Sequence, residues 1–106
     1  MLYYTDLDLN KIELETVNKY NVQSKSVTTY YNIECGFDIE TTSTYIDGEK
    51  QAFMYEWTFG IKDTIVYGRT WEEFIDLCFK LQEHYNLSSD RILIVYVHNL
   101  GYEFQF

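Results

Sequence analysis

Two carboxylates, Asp38 and Glu40, lie two residues apart inside a short apolar run. On a β-strand, side chains two residues apart project from the same face, so both acids share one face while Phe37 and Ile39 project into a core. Like charges held this close disfavour each other unless a cation lies between them. Carboxylate oxygens are typical ligands of Mg²⁺ and Mn²⁺, so the pair predicts a divalent metal site. A solvated strand face without a ligand remains the alternative for this pair alone.

A second group of polar residues follows a different apolar run. Residues 91–97 are almost continuously apolar, which predicts a strand buried on both faces, as in the centre of a parallel sheet. His98, Asn99 and Gly101 then interrupt the pattern, and a new carboxylate, Glu103, follows. Because α/β folds place their sites beyond strand ends, this interruption is a second candidate site.

Together the two motifs resemble the first two exonuclease motifs of family B DNA polymerases, and most closely the protein-primed phage branch. In that family the second motif is an Asn followed by an aromatic residue and an acid, matched here by Asn99, Tyr102 and Glu103. The usual acid is Asp, so Glu103 departs from the pattern by one methylene. The resemblance covers roughly residues 30–106.

This resemblance implies metal-dependent 3′–5′ proofreading of single-stranded DNA. Asp38, Glu40 and Glu103 would be the catalytic, metal-binding acids of a two-ion Mg²⁺ or Mn²⁺ site. Thr41, Asn99 and Tyr102 would bind the 3′ end of the single strand, although each also has an ordinary structural explanation.

The third motif of that family, Tyr-x-x-x-Asp, does not follow Glu103. We therefore expect the chain to be an N-terminal piece of a DNA polymerase that is inactive by itself. Its expected partners are single-stranded DNA and either the remainder of a polymerase or a second copy, held through an uncovered C-terminal edge.

The periodicity of the chain predicts the elements that position these residues. A polar leader, residues 1–29, has a weak helical pattern over 8–20, and the exonuclease-like domain covers 30–106. Strands are predicted at 30–41, 52–61, 64–67 and 91–97, with a turn at 43–50 and a helix from Thr70, where Glu73 completes a capping box, to about Asn86.

Three antiparallel strands, a helix and a fourth strand parallel to the first would make an α/β fold, the opening half of a ribonuclease-H-like (DnaQ-like exonuclease) sheet. A right-handed crossover through the helix sets the direction of the fourth strand.

The charge balance leaves a second function open, although the acidity also fits an exonuclease site, which is locally acidic, with the basic surface on the rest of a larger protein. The chain has 8 basic and 17 acidic residues and a net charge of −9, whereas a general nucleic-acid binder carries a basic surface. The alternative is therefore a small acidic phage-type protein that binds or inhibits a nucleic-acid enzyme by imitating nucleic acid. A third interpretation is a plain α/β domain whose motifs are coincidental.

The expected location is the cytoplasm, that of the bacterial host if the protein is viral. No run approaches the roughly 18 apolar residues of a membrane span, so no membrane partner is expected. Cys35 and Cys78 lack zinc-site or redox spacing, and free buried thiols in a reducing compartment are favoured over a disulfide.

Overall fold

The computed structural model describes residues 1–97 and contains a mixed sheet of six strands and one α-helix, which confirms the α/β class. The strands are β1 (Leu2–Tyr3), β2 (Thr16–Asn21), β3 (Ser26–Ile46), β4 (Glu49–Ile61), β5 (Thr64–Gly68) and β6 (Arg91–Val97). The helix α1 spans Trp71–Tyr85, and 3-10 turns span Tyr4–Asp6 and Leu9–Lys11. No helix among the described residues is long and apolar enough to cross a membrane.

The long strand β3 is the centre of the sheet. It pairs antiparallel with β4, which pairs antiparallel with β5, as predicted. On its other side β3 pairs parallel with β6, and the predicted direction of that strand is therefore confirmed. Both neighbours pair with Gly36 and Phe37, so the segment that precedes Asp38 is enclosed by strands on both sides.

Helix α1 begins and ends where the sequence predicts. The Thr70 hydroxyl accepts from the Glu73 amide at 3.2 Å, and the Glu73 carboxylate accepts from the Thr70 amide at 3.1 Å, so the capping box is complete. The helix ends at Asn86, which has a left-handed φ of 54°. Leu77, Leu81 and Tyr85 are buried against the sheet.

One face of the sheet, which we call the inner face, forms the core with α1. Its large buried strand residues are aromatic or apolar, namely Tyr31, Cys35, Phe37, Ile39, Trp57, Phe59, Ile61 and Val66. The Trp57 indole N–H donates to the Thr70 carbonyl at 2.8 Å, so this side chain joins the sheet to the start of the helix. A Cβ at position 68 would overlap the Trp57 ring, and the close approach of the backbone to this ring therefore requires Gly68.

The leader departs from its predicted helix over residues 8–20. Only a 3-10 turn forms at Leu9–Lys11, and Thr16–Asn21 is strand β2, paired antiparallel with Ser26–Tyr31. The apolar spacing of Leu9 and Ile12 supports a single turn, while pairing with β3 satisfies the backbone that follows. Leu9 and Ile12 are buried, and the Tyr85 hydroxyl donates to the Ile12 carbonyl at 2.8 Å, so this part of the leader belongs to the core.

The predicted turn at 43–50 is also narrower than expected. Strands β3 and β4 continue as a two-stranded ribbon to Asp47 and Gly48, whose φ values are 52° and 81°. Positive φ at both loop positions is typical of a type I′ hairpin, which Asp-Gly favours. The ribbon extends beyond the core, and its tip residues, Tyr45 and Ile46, are exposed.

Strand β6 differs from the prediction of a strand buried on both faces. Within residues 1–97 it pairs only with β3, and Val95, Tyr96 and Val97 are exposed. An apolar run can therefore lie at a sheet edge, because hydrophobicity alone does not report how many strands flank it. Cys78 is likewise exposed rather than buried, although both cysteines are free as expected.

Candidate functional site

Asp38 and Glu40 lie near the middle of β3 and project from the outer face of the sheet, opposite α1. Phe37 and Ile39 between and beside them are buried, so the predicted division of the two faces is confirmed. Asp38 is half-buried and Glu40 is exposed. One Asp38 carboxylate oxygen accepts from the Ile39 amide at 2.9 Å, which orients the carboxyl group against the strand.

A third carboxylate, Glu56, joins this pair from the neighbouring strand. Glu56 of β4 is the direct cross-strand partner of Glu40, and directly opposed residues project from the same face. The sequence analysis missed it. The sequence does carry a sign of its position, because Glu56 and Thr58 alternate with the apolar Trp57 and Phe59, which are buried. This alternation assigns Glu56 to the polar face of the strand. Only the strand register places it beside Glu40.

A β-bulge follows directly on the acidic pair. Glu40 pairs with Glu56 and Thr41 pairs with Met54, so Tyr55 is an extra residue on β4. Bulges bend a strand and redirect side chains, and they are common next to active sites. Thr41, the residue expected to bind a DNA strand, is half-buried at this bend.

Glu34 extends the acidic row along the same face of β3. It lies four residues before Asp38, and its carboxylate accepts a hydrogen bond from the Tyr96 hydroxyl of β6 at 3.3 Å. This contact links the row to the strand that leads into the second motif. Glu34, Asp38, Glu40 and Glu56, which we call the acidic row, thus span two neighbouring strands.

The charges of the acidic row have no cationic partner among the described residues. The ion pair seen within residues 1–97 is on α1, where the Lys80 Nζ lies 3.9 Å from a carboxylate oxygen of Asp76. Directly opposed like charges such as Glu40 and Glu56 destabilise a sheet, so a bound cation would lower the free energy of this face.

The other predicted site residues, Asn99, Tyr102 and Glu103, lie outside the described residues. The structure does describe Val97, the residue that precedes this segment. Val97, the last residue of β6, pairs with Phe37, and the next residue along β3 is Asp38. Within residues 1–97 no group of three or more His, Cys, Asp or Glu side chains is arranged to hold a metal.

The chemical type of these donors suits a hard cation, although within residues 1–97 they do not form a group of three or more arranged to hold one. Every candidate ligand in the acidic row is a carboxylate oxygen, which suits Mg²⁺ or Mn²⁺ rather than a soft metal. The antiparallel pairing of Asp38 with Thr58 of β4 restricts its backbone, so this carboxylate is held on a regular strand. Comparison with known proteins adds no identification, since no family model, curated protein or solved structure matches this chain.

Proposed function

We propose that this chain provides the first two motifs of a metal-dependent 3′–5′ exonuclease site of the family B DNA polymerase type. The observation that carries the proposal is the parallel pairing of β6 with β3, with Val97 beside Phe37. Val97, the residue that precedes the second motif, therefore lies next to the first motif, although the two motifs are far apart in sequence.

The strand arrangement supports the same proposal. A half ribonuclease-H-like sheet needs three antiparallel strands in sequence, then a helix, then a strand parallel to the first and next to it. Here β3, β4 and β5 are antiparallel neighbours, and β6 lies beside β3 after α1. Strand β2 is an addition, since it pairs with the early part of β3.

In the proposed site, Asp38, Glu40 and Glu103 would hold the metal, and Thr41, Asn99 and Tyr102 would position the 3′ end of a single strand. Metal ions held there would supply an activated water and stabilise the leaving oxygen of a phosphodiester. The protein's contribution is positional, because Asp38 and Glu40 both lie where β3 is paired with β4. Such a site would act where DNA is replicated, which is the cytoplasm in a bacterial host.

Paramagnetic NMR tests this proposal directly. Titration of Mn²⁺ into the low millimolar range should broaden the amide signals of residues 36–42 before others, because Asp38 and Glu40 lie there. The Asp38→Asn variant should lose the effect while keeping the same shape. The matched control is Asp63→Asn, which removes an exposed carboxylate from the turn between β4 and β5.

Uniform broadening, or selective broadening that survives Asp38→Asn, would contradict the proposal. Broadening that begins at the Asp63 turn would show that Mn²⁺ simply samples exposed acids.

A second candidate function is supported by the acidic row itself. Its four carboxylates on one face, together with the net charge of −9, resemble a strip of phosphates. A protein that imitates nucleic acid would bind a basic nucleic-acid enzyme with strong salt dependence. Because that charge is spread over two strands, Asp38→Asn would weaken the binding only slightly. Complete loss of activity in the Asp38→Asn variant would favour the metal site instead.

A further inference from the structure

The hairpin formed by β2 and the first part of β3 differs in charge from the rest of the chain. Residues 16–33 contain two lysines, Lys19 and Lys25, and no Asp or Glu, although the chain has 17 acidic residues. Glu15 and Glu34 lie immediately on either side of this segment. The hairpin is therefore locally positive within a protein of net charge −9, and a local positive charge attracts an anionic partner.

One side of this hairpin belongs to the outer face of the sheet. Tyr30 pairs with Ile92 of β6, and Glu34 pairs with Ile94. Because Ile92 and Ile94 are two residues apart on one strand, their partners project from the same face. Tyr30 therefore lies on the face that carries the acidic row. Lys19 joins it from β2, where it is a diagonal neighbour of Tyr30 in the antiparallel pairing.

An aromatic ring and a cation form the centre of this surface, which we call the Tyr30–Lys19 surface. The Lys19 Nζ lies 5.4 Å from the centroid of the Tyr30 ring. Lys19 is exposed and forms no ion pair in the described part of the chain, so no carboxylate neutralises its charge there. Tyr30 is half-buried, and part of its side chain is accessible.

Two depressions open beside this pair of side chains. They have volumes of about 370 and 460 Å³, and Tyr30 and Lys19 line both of them. One extends toward the turn of the hairpin, where Val22 and Gln23 line it, and the other extends toward Glu34. Both volumes lie in the usual range of small-ligand pockets, about 300–1,000 Å³, so each depression has room for a planar ring.

We infer that the Tyr30–Lys19 surface binds single-stranded nucleic acid, upstream of the 3′ end that the metal site would hold. The inference rests on the proposed function. A base of any sequence stacks on an aromatic ring, and a lysine beside the ring contacts the phosphate backbone. An acidic peptide would use the charge of Lys19 but has no base to stack on Tyr30.

A single strand can reach both this surface and the metal site. Tyr30 precedes Asp38 by eight residues of β3, which corresponds to about 26 Å. Sites for single strands commonly cover about 4–16 nucleotides, so one strand can contact both places. The acidic row, which begins at Glu34, repels phosphates when no metal is bound. Binding measured without metal therefore reports the Tyr30–Lys19 surface alone.

Fluorescence anisotropy of a labelled oligothymidylate of about 12 nucleotides measures this binding. The whole chain is titrated at low salt in EDTA, so that a metal site cannot contribute. Tyr30→Leu should weaken binding about tenfold, because one stacked base is lost. Lys19→Gln should weaken it about threefold and reduce the slope of log affinity against log salt by about 0.7, the value for one phosphate contact with a single strand.

The other end of β3 offers a matched control. Tyr45 and Lys50 are cross-strand partners at the tip of the β3–β4 ribbon, and both are exposed. Asp47 and Glu49 lie close to them in sequence, so the charge of Lys50 is offset locally. Tyr45→Leu and Lys50→Gln remove the same groups as the test variants and should leave the affinity almost unchanged, because salt screens a distant charge.

Absence of measurable binding by the native chain, or equal losses in the Tyr30 and Tyr45 variants, would overturn the inference. Displacement of the oligonucleotide by a glutamate peptide of equal charge, as effective as displacement by unlabelled oligonucleotide, would also overturn it. The surface would then recognise negative charge alone. If circular dichroism shows that Tyr30→Leu is unfolded, Lys19→Gln decides, since its position is exposed. An unchanged affinity and salt slope in that variant would contradict the inference.

This result is separate from that of the Mn²⁺ titration. Oligonucleotide binding without selective broadening at residues 36–42 would leave the Tyr30–Lys19 surface in place and remove the proposed exonuclease site. Selective broadening without oligonucleotide binding would have the opposite meaning, because the metal site would stand and this surface would be wrong.

Discussion

The two faces of the same strands differ sharply in what they do. On the inner face, Trp57 and Phe59 of β4 are almost completely inaccessible to solvent and pack against α1. On the outer face, Glu56 and Thr58 of the same strand remain partly accessible beside Asp38. Because strand side chains alternate, one short segment contributes both to the stability of the fold and to its candidate chemistry. Substitutions at adjacent positions should therefore have very different consequences.

The largest difference is expected between Trp57 and its neighbour Thr58. Trp57→Ala removes a fully buried ring and its hydrogen bond to the Thr70 carbonyl, which should lower the free energy of unfolding by about 3–5 kcal/mol. Thr58→Ala, on the outer face, should cost less than about 1 kcal/mol. Urea unfolding followed by circular dichroism measures both values. Similar losses of unfolding free energy at the two positions would contradict the expected difference between the two faces.

A second difference should appear at alkaline pH, because the inner face carries two groups whose pKa values are strongly raised. Burial raises the pKa of the Cys35 thiol to about 11, and burial with the nearby Cys35 and Tyr31 raises the pKa of Tyr85 to about 12. The unfolded chain releases these protons near their ordinary values of 9.0 and 10.0, while the folded chain retains them. Stability is therefore complete below about pH 9 and should fall progressively as the pH rises toward 12.

Urea midpoints measured from neutral to alkaline pH check this expectation. Tyr85→Phe should make the decline shallower, because the phenol that resists ionisation is gone. The control is Tyr20→Phe, at an exposed position of β2, which should leave the slope unchanged. A decline that is identical in all three proteins would assign the effect to other groups.

The smallest effect is expected on the outer face, with the opposite sign. In metal-free buffer, Glu56→Gln should raise the free energy of unfolding by about 0.2–1 kcal/mol, because it removes a like charge directly opposite Glu40. Glu83→Gln on the exposed side of α1 serves as the control and should have no comparable effect.

Saturating Mn²⁺ sharpens this last comparison. If Glu56 contributes to the metal site, the native chain should gain stability from Mn²⁺ and the Glu56→Gln variant should gain less. Equal gains of stability in the two proteins would show that Glu56 does not contribute to a metal site at Asp38 and Glu40.

Much of the fold could be predicted because the relevant signals are local. The capping box of Thr70 and Glu73 acts within one helical turn, and the alternation around Asp38 concerns adjacent residues. The leader was wrongly predicted as helical because its apolar spacing is ambiguous. Its true partner, Ser26–Tyr31 of β3, is found only when the chain folds back on itself.

The sequence by itself determined which residues could do chemistry. It established that Asp38 and Glu40 share a face, that Phe37 and Ile39 project from the other face, and where α1 begins, because each depends on neighbouring residues along the chain.

Only the tertiary structure decided which residues from distant parts of the chain lie next to each other. It placed Glu56 opposite Glu40 and Val97 beside Phe37, and within residues 1–97 it left β6 at an exposed edge. These outcomes depend on strand register and on the number of strands flanking each segment, which are set by the packing of residues far apart in the chain.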